Sequence, residues 1–449
     1  MKKLIFNKKF LASFLVISLI LCLTVMLTSC DFSQDSVAVG IESTYINSHG
    51  ELVVKYTDGT IDNLGVVVGK DGQNGKDGED GKDGINGKDG RDGEKGEKGE
   101  TGENGKDGSV TILDGGSNLA LATTKATRSS VSIVTDAGAG SGVIYKYNEA
   151  DDGYFIITNY HVVYSSSTGI SRNISAYLYG SEYSDYAIDA EYVGGSMNYD
   201  IAVLYVKNND LMKKSCVIAT DVFNSNDLQL GQEVIAVGNS SGSGISATRG
   251  IVSVISENLT MLAADDKTEV TFRVLRTDAP INKGNSGGGI FTSEGELVGI
   301  VNAKRIVSGV EGMGYAIPST LACNVADNII DNCYGKNGTN VRRALLGITI
   351  YNGESYSVIN SETGAIEIKE LITIKEVSSG SIVSKAMAED IVISVTLNGN
   401  TVYATRQFHV IDFMLTARVG DTGYLTVERN GEKIDIPFKI TEECITVYQ

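Results

Sequence analysis

The rhythm of apolar and polar positions changes several times along the 449 residues, and each change marks a candidate element or boundary. Four lysines (Lys2, Lys3, Lys8, Lys9) precede an apolar run from Phe10 to Leu27. From Val37 to Val68 the residues alternate as strands do. Glu51-Leu52-Val53-Val54-Lys55-Tyr56 and the stretch Ile61 to Val68 flank Thr57-Asp58-Gly59-Thr60, where Asp-Gly predicts a hairpin. Apolar residues then almost vanish over 69–108, and a polar, small-residue connector fills 109–128. Over 129–338, short β-branched runs broken by glycine and asparagine predict an all-β barrel or sandwich. Its last piece, Ser319 to Cys333, switches to helical spacing at Leu321, Val325, Ile329 and Ile330. The chain is therefore expected to be mainly β and to have several domains.

The segment 69–108 carries the strictest pattern. Glycine occupies every third position from Gly69 to Gly108, fourteen times without a miss. That is a collagen-like Gly-X-Y tract, because only glycine fits the crowded axis of a triple helix. It contains no proline; recurring Lys-Asp pairs and Glu94-Lys95-Gly96-Glu97-Lys98-Gly99-Glu100 supply charge ladders between staggered chains instead. A flexible charged linker would have the same polarity but no reason to keep the period. A triple helix requires three parallel chains, so a homotrimer is expected.

Charge and cysteines refine the picture. A net charge of −18 disfavours nucleic acid and polybasic membrane contact. Residues 1–29 read as a secretory signal, and Leu27-Thr28-Ser29-Cys30 resembles a bacterial lipoprotein signal, with Cys30 as the lipidated residue. An uncleaved membrane anchor is the alternative; both hold residues 30 onward at the outer face of a membrane. Cys216, Cys323, Cys333 and Cys444 form no dense framework. Cys323 and Cys333 lie on helix faces about 80° apart, and all four are expected to be free, buried thiols.

Candidate chemistry converges on Lys283-Gly284-Asn285-Ser286-Gly287-Gly288-Gly289. A serine flanked by glycines can sit on a tight turn whose N–H groups hold an oxyanion while the hydroxyl attacks. One of only three histidines, His161, lies upstream in Ile157-Thr158-Asn159-Tyr160-His161-Val162-Val163. Between them Asp200 opens the apolar run Ile201-Ala202-Val203-Leu204; Asp185 and Asp189 are rivals without such a run. The order His, Asp, Ser is that of the chymotrypsin-type barrels. The other two histidines, His49 in a Ser-His-Gly turn and His409, lack partners in sequence and are read as solvated and structural. No zinc, nucleotide or flavin motif appears, so no metal or cofactor is expected.

Four motifs in order, TNYHVV, DIAVL, TDAPINKGNSGG and GYAIPS, resemble those of the HtrA/Deg family of trypsin-like serine proteases. The resemblance covers about 130 to 335 and implies a chymotrypsin-like double β-barrel with His161, Asp200 and Ser286 as its triad. It further implies an oxyanion hole from the N–H groups of Gly284 and Ser286 with Asn285 between them. Pro280 and Ile281 would form one wall of the specificity pocket, and Ile300, Asn302 and Ala303 another. Pro280, the pair Lys304-Arg305 near the rim, and Gly289 after the nucleophile motif depart from the family pattern. Arg342-Arg343-Ala344-Leu345-Leu346-Gly347-Ile348 resembles the carboxylate-binding loop of the family's PDZ domains. Leu345, Leu346, Gly347 and Ile348 would then receive peptide C-termini in a PDZ-like α+β domain, although Lys385 to Asp390 departs from its glycine-bearing turn.

These readings describe a lipid-anchored envelope endopeptidase acting on unfolded or exported proteins. A surface binding or chaperone-like protein with an idle protease site is the alternative. Family protease domains trimerise about a threefold axis, which matches the symmetry of the collagen-like tract.

Overall fold

The computed structural model describes residues 41–47, 51–66, 118–181, 186–207, 209–303, 313–338, 340–361 and 363–448. The expected signal with Cys30, the turn with His49, the Gly-X-Y tract, Asp185 and the pair Lys304-Arg305 lie outside the described residues. The chain divides into two compact units, 1–104 and 105–449.

In the first unit, strands Ile41–Ile46, Glu51–Tyr56 and Ile61–Val66 form an antiparallel sheet. Asp58 makes its second turn: its carboxylate accepts the Thr60 N–H at 2.9 Å, and Gly59 takes φ 85°. An aspartate side chain that mimics a backbone turn, followed by a residue free to adopt positive φ, is why this pair reverses the chain.

The second unit begins with helix α1 (Asn118–Arg128), which buries Ala122 and Ala126. A seven-stranded sheet follows, ordered Ile188–Asp189, Ile174–Leu178, Ser130–Thr135, Gly138–Asn148, Gly153–Thr158, Ile201–Lys207, Glu191–Ser196. Its inner strands are covered on both faces: every residue of Gly153–Thr158 is buried, as is Ile201 to Val206. Nearer the edge, Ile174–Leu178 alternates buried with half-buried positions. Strands Glu233–Gly238, Ser246–Leu262, Glu269–Thr277, Gly314–Pro318, Leu297–Val301 and Gly289–Thr292 then close into a barrel around Val234, Leu275, Ile290 and Ala316, while Phe291, Ile300, Val274 and Ile317 belong to the cluster shared with the seven-stranded sheet. The expected mainly β architecture is present, as a seven-stranded sheet followed by a closed barrel.

Two one- to two-turn helices sit in the first half, α2 (Tyr160–Val163) and α3 (Asp210–Ser215). After the barrel comes α4 (Ser319–Cys333), which buries Leu321, Val325 and Ile329 with Ile330 at its margin. Residues 348–439 build a sheet ordered Ile348–Ile359, Ile366–Val377, Ile391–Leu397, Thr422–Arg429, Glu432–Lys439, with Asn400–Tyr403 paired to Ile391–Leu397 and helix α5 (Gln407–Phe413) beside it.

Polar contacts join this C-terminal part to α4, the barrel and the seven-stranded sheet. Asn328 of α4 donates to the carbonyls of Arg342 at 2.7 Å and Leu415 at 2.8 Å. Arg273 and Asp412, both almost fully buried, pair at 2.7 Å. Arg343 donates to the hydroxyls of Tyr199 at 3.0 Å and Tyr448 at 2.6 Å. His409 packs edge-on against Phe408, and burial holds its imidazole down at about 4, so it is neutral at ordinary pH. Cys323 and Cys333 are free and buried, while Cys216 and Cys444 are free and half-buried. Burial raises the Cys323 thiol to about 12 and the Cys333 thiol to about 11. Both thiols are therefore protonated and poorly nucleophilic.

Candidate active site

Three elements distant in sequence deliver three side chains to one place. His161 stands on α2, the single turn that follows the buried strand Gly153–Thr158. Asp200 precedes the strand Ile201–Lys207 in the left-handed region, φ 51°, a conformation short polar residues tolerate best. Its main-chain carbonyl accepts Asn159 Nδ2 at 2.9 Å, which holds the residue in that conformation. Ser286 lies on the glycine-rich turn before Gly289–Thr292.

The carboxylate of Asp200 faces three N–H donors: the His161 backbone at 3.0 Å, His161 Nδ1 at 2.7 Å and Asn302 Nδ2 at 2.9 Å. A carboxylate only accepts, so the proton of the neutral imidazole sits on Nδ1 and Nε2 is left as an acceptor. Nε2 lies 2.9 Å from Ser286 Oγ and can take its hydroxyl hydrogen. Asp200 and Ser286 are each only 6% exposed, which keeps bulk water away from these bonds. Asp189, by contrast, is exposed on an edge strand.

The turn itself needs two of its glycines. A Cβ on Gly284 (φ 96°) would lie 2.2 Å from the Asn239 carbonyl, and one on Gly287 (φ 84°) 2.1 Å from the Ser141 carbonyl. Every carbonyl around the nucleophile is held from behind. Ser241 N–H donates to Lys283 O, Ser141 Oγ to Gly284 O and Ser141 N–H to Ser286 O, each at 2.7 Å. Because a trans peptide points its N–H opposite its C=O, fixing the Lys283 carbonyl turns the Gly284 N–H the other way. Among the described residues nothing accepts the N–H of Gly284 or Ser286. Asn285 between them is buried.

The expected pocket residues divide. Ile281 packs on Gly314, where a Cβ would meet it at 2.6 Å, and Ala303 is buried nearby in sequence to Asn302. Pro280 is exposed, and its carbonyl accepts Thr248 Oγ1 at 2.9 Å. Asn302 directs its amide to Asp200, and Ile300 is fully buried in the cluster that packs the barrel against the seven-stranded sheet and α4. In the C-terminal part, Leu346 is buried and Leu345 is exposed with its N–H given to Cys444 O at 2.8 Å. Gly347 takes φ 75° against Ser381, and Ile348 begins the edge strand Ile348–Ile359. Ser141 and Ser241 lie outside the motifs that mark the triad, and Asn159 stands within the His161 motif with no role assigned to it by sequence. Among the described residues no cluster of three or more His, Cys, Asp or Glu could hold a metal.

Residues 140–300 match the family model of the trypsin-like peptidase domain. The serine protease Do-like HtrA of Bacillus subtilis is 31% identical over 343 residues, covering 74% of this chain and 70% of that protein. The chain belongs to the HtrA family of serine endoproteases. This HtrA-family chain is also 31% identical over 300 residues to the periplasmic pH-dependent serine endoprotease DegQ of Escherichia coli, spanning 67% of itself and 58% of DegQ. A solved structure of the HtrA-type protease AlgW with tripeptide covers 72% of the chain and 96% of its own at 24% identity and a TM-score of 0.47. Residues 67–111 match the model of the collagen triple helix repeat.

Proposed function

We propose that this HtrA-family protein is a membrane-anchored, extracytoplasmic endopeptidase that cleaves unfolded or exported proteins through an acyl-enzyme. The observation that carries the proposal is the continuous line Asp200–His161–Ser286, with bonds of 2.7 and 2.9 Å. His161 Nε2 takes the proton as Ser286 Oγ attacks the scissile carbonyl, and Asp200 stabilises the imidazolium. The unpartnered N–H groups of Gly284 and Ser286 receive the developing oxyanion. The proton then passes to the leaving amine, and water, activated by the same imidazole, releases the acyl group. Ile281, with Pro280 and Ala303 as further wall positions, would favour a small or medium aliphatic residue before the scissile bond; Ile300 and Asn302 would support that wall from behind. Labelling with a serine-directed fluorophosphonate tests the proposal: modification at Ser286 is expected. An unmodified Ser286 would instead favour a binding protein with an idle site.

The remaining parts extend the same reading. Residues 1–29 serve as a leader, with Cys30 lipidated, 30–68 a small β piece, 69–108 the collagen-like stalk and 109–128 a connector. Residues 129–338 form the protease, and 339–445 a PDZ-like domain in which Leu345, Leu346, Gly347 and Ile348 receive peptide C-termini. Three copies joined through the stalk would match a trimer of protease domains, on the outer face of the bacterial cytoplasmic membrane. At the rise of polyproline II, thirteen triplets give a stalk of about 120 Å. Two measurements check these parts. Cys30→Ser is expected to abolish metabolic labelling with a fatty acid; unchanged labelling would exclude the anchor. The chain from Asp31 onward is expected to sediment as a trimer, and a monomer at micromolar concentration in the cold would reduce the tract to a linker.

A further inference from the structure

The long ribbon formed by Ile348–Ile359 and Ile366–Val377 is paired on one side only over part of its length. Strand Ile366–Val377 meets its other neighbour, Ile391–Leu397, at Thr373 alone. Towards the ribbon's tip the next contact on that side is a single bond, Glu370 N–H to Thr405 O at 2.9 Å.

That bond sets the parity of the edge. Asn360 N–H donates to Ala365 O, so 365, 367 and 369 face the partner strand, whereas 366, 368 and 370 turn their main-chain groups outward. Ile366 and Ile368 therefore present an N–H and a C=O each, in line with the Glu370–Thr405 bond. Among the described residues no group takes them. The free edge runs about 13 Å from Ile366 to Glu370 at a strand's rise.

This edge opens into a cavity of about 390 Å³ between the barrel and the C-terminal part. Leu228 and Ile255 of the barrel and Phe408 of the C-terminal part supply apolar lining. The charged side chains there are already engaged: Lys369 with Glu367 at 2.6 Å, Arg406 with Glu370 at 2.9 Å, and Asp227 with Asn224 at 2.8 Å. Ile366 and Ile368 are 52% and 39% exposed, an unusual placement for isoleucine on a bare edge.

We propose that this cavity is a docking site for an extended segment of an unfolded polypeptide, which adds as a short strand to the edge Ile366–Glu370. Main-chain ladder bonds supply the affinity, and the paired charges leave recognition tolerant of sequence. Such tolerance suits a protease whose substrates are unfolded chains; in this respect the inference rests on the proposed function. The site lies apart from the Ser286 turn and from Leu345 to Ile348, so it would hold a substrate without consuming its cleavage site or its C-terminus.

The test is equilibrium binding of fluorescein-labelled, carboxymethylated casein to the full chain carrying Ser286→Ala. Adding Ile368→Pro removes an outward N–H without touching the inner ladder, and proline is tolerated at such edge positions. It is expected to weaken binding about tenfold, the size of one or two lost charge-free hydrogen bonds. Should Ile368→Pro lower thermal stability, Gln229→Trp, an exposed position on the cavity wall, blocks the site from the barrel side with the same expected loss. A C-terminally amidated casein peptide is expected to bind as well as the free acid. Unchanged casein affinity in both variants, or binding that requires a free C-terminus, would overturn the proposal. With an otherwise wild-type chain, a short chromogenic tetrapeptide should be cleaved equally with and without Ile368→Pro. Failure of the unsubstituted chain to cleave it would tell against the protease reading while leaving the casein-binding result to decide the docking site.

Discussion

Ser286→Ala is expected to abolish casein cleavage, lowering turnover roughly 10⁶-fold, while the protein stays folded. Removing Oγ deletes the nucleophile that His161 Nε2 addresses at 2.9 Å. It leaves the main chain of the turn intact, because Ser286 is held there by its carbonyl, which accepts the Ser141 N–H, and not by its hydroxyl. Asp200 keeps its bonds to the His161 backbone and to Asn302. The folded state should therefore melt within a degree or two of the wild type. His161→Ala should be nearly as damaging, since nucleophile and base act in one proton transfer. Casein hydrolysis with purified proteins, beside circular-dichroism melting, checks both. Residual activity above a few per cent in either variant would move the catalytic centre elsewhere.

Much of this site could be read from local pattern, and what could not has a common physical cause. Ser286, His161 and Asp200 each sit in a short motif whose neighbours dictate the turn or strand, so their chemistry shows in a few residues. Asp200 stood out from Asp189 because it opens a fully buried strand; Asp189 proved to lie on an exposed edge. The helix over Ser319–Cys333 was equally legible from its 3.6-residue period. The supports of the site were not. Ser141 reaches Gly284 across 143 residues of sequence, and Asn302 reaches Asp200 across 102. Asn302 read as a pocket wall because its strand leads to the pocket, but a buried amide beside a carboxylate is drawn to the charge. Ile300 misled for a related reason. Leu297–Val301 is buried on both faces, so alternation carries no information about which side chain looks toward substrate and which packs against the rest of the fold.

The same limitation hid the joint between the barrel and the C-terminal part, where the second large effect is expected. Arg273 comes from the barrel strand Glu269–Thr277 and Asp412 from α5, 139 positions later; their side chains are only 4% and 8% exposed. Burial disfavours both charges, pushing the Asp412 carboxyl up and the Arg273 guanidinium down, so each ion depends on the other. The guanidinium also donates to Thr320 Oγ1 at 2.8 Å and lies 4.0 Å above the Phe408 ring. Asp412→Ala strands this cation in the interior and should destabilise the protein by about 3–5 kcal/mol. Arg273→Met combined with Asp412→Leu removes both charges and refills the volume, so it should recover most of that loss. Urea unfolding of the single and double variants measures the difference. A double variant less stable than Asp412→Ala would mean that the contacts of Arg273 with Thr320 and Phe408, and not the ion pair, hold the joint. A single variant within about 1 kcal/mol of wild type, the range of exposed pairs, would mean that water reaches the pair and the joint is open.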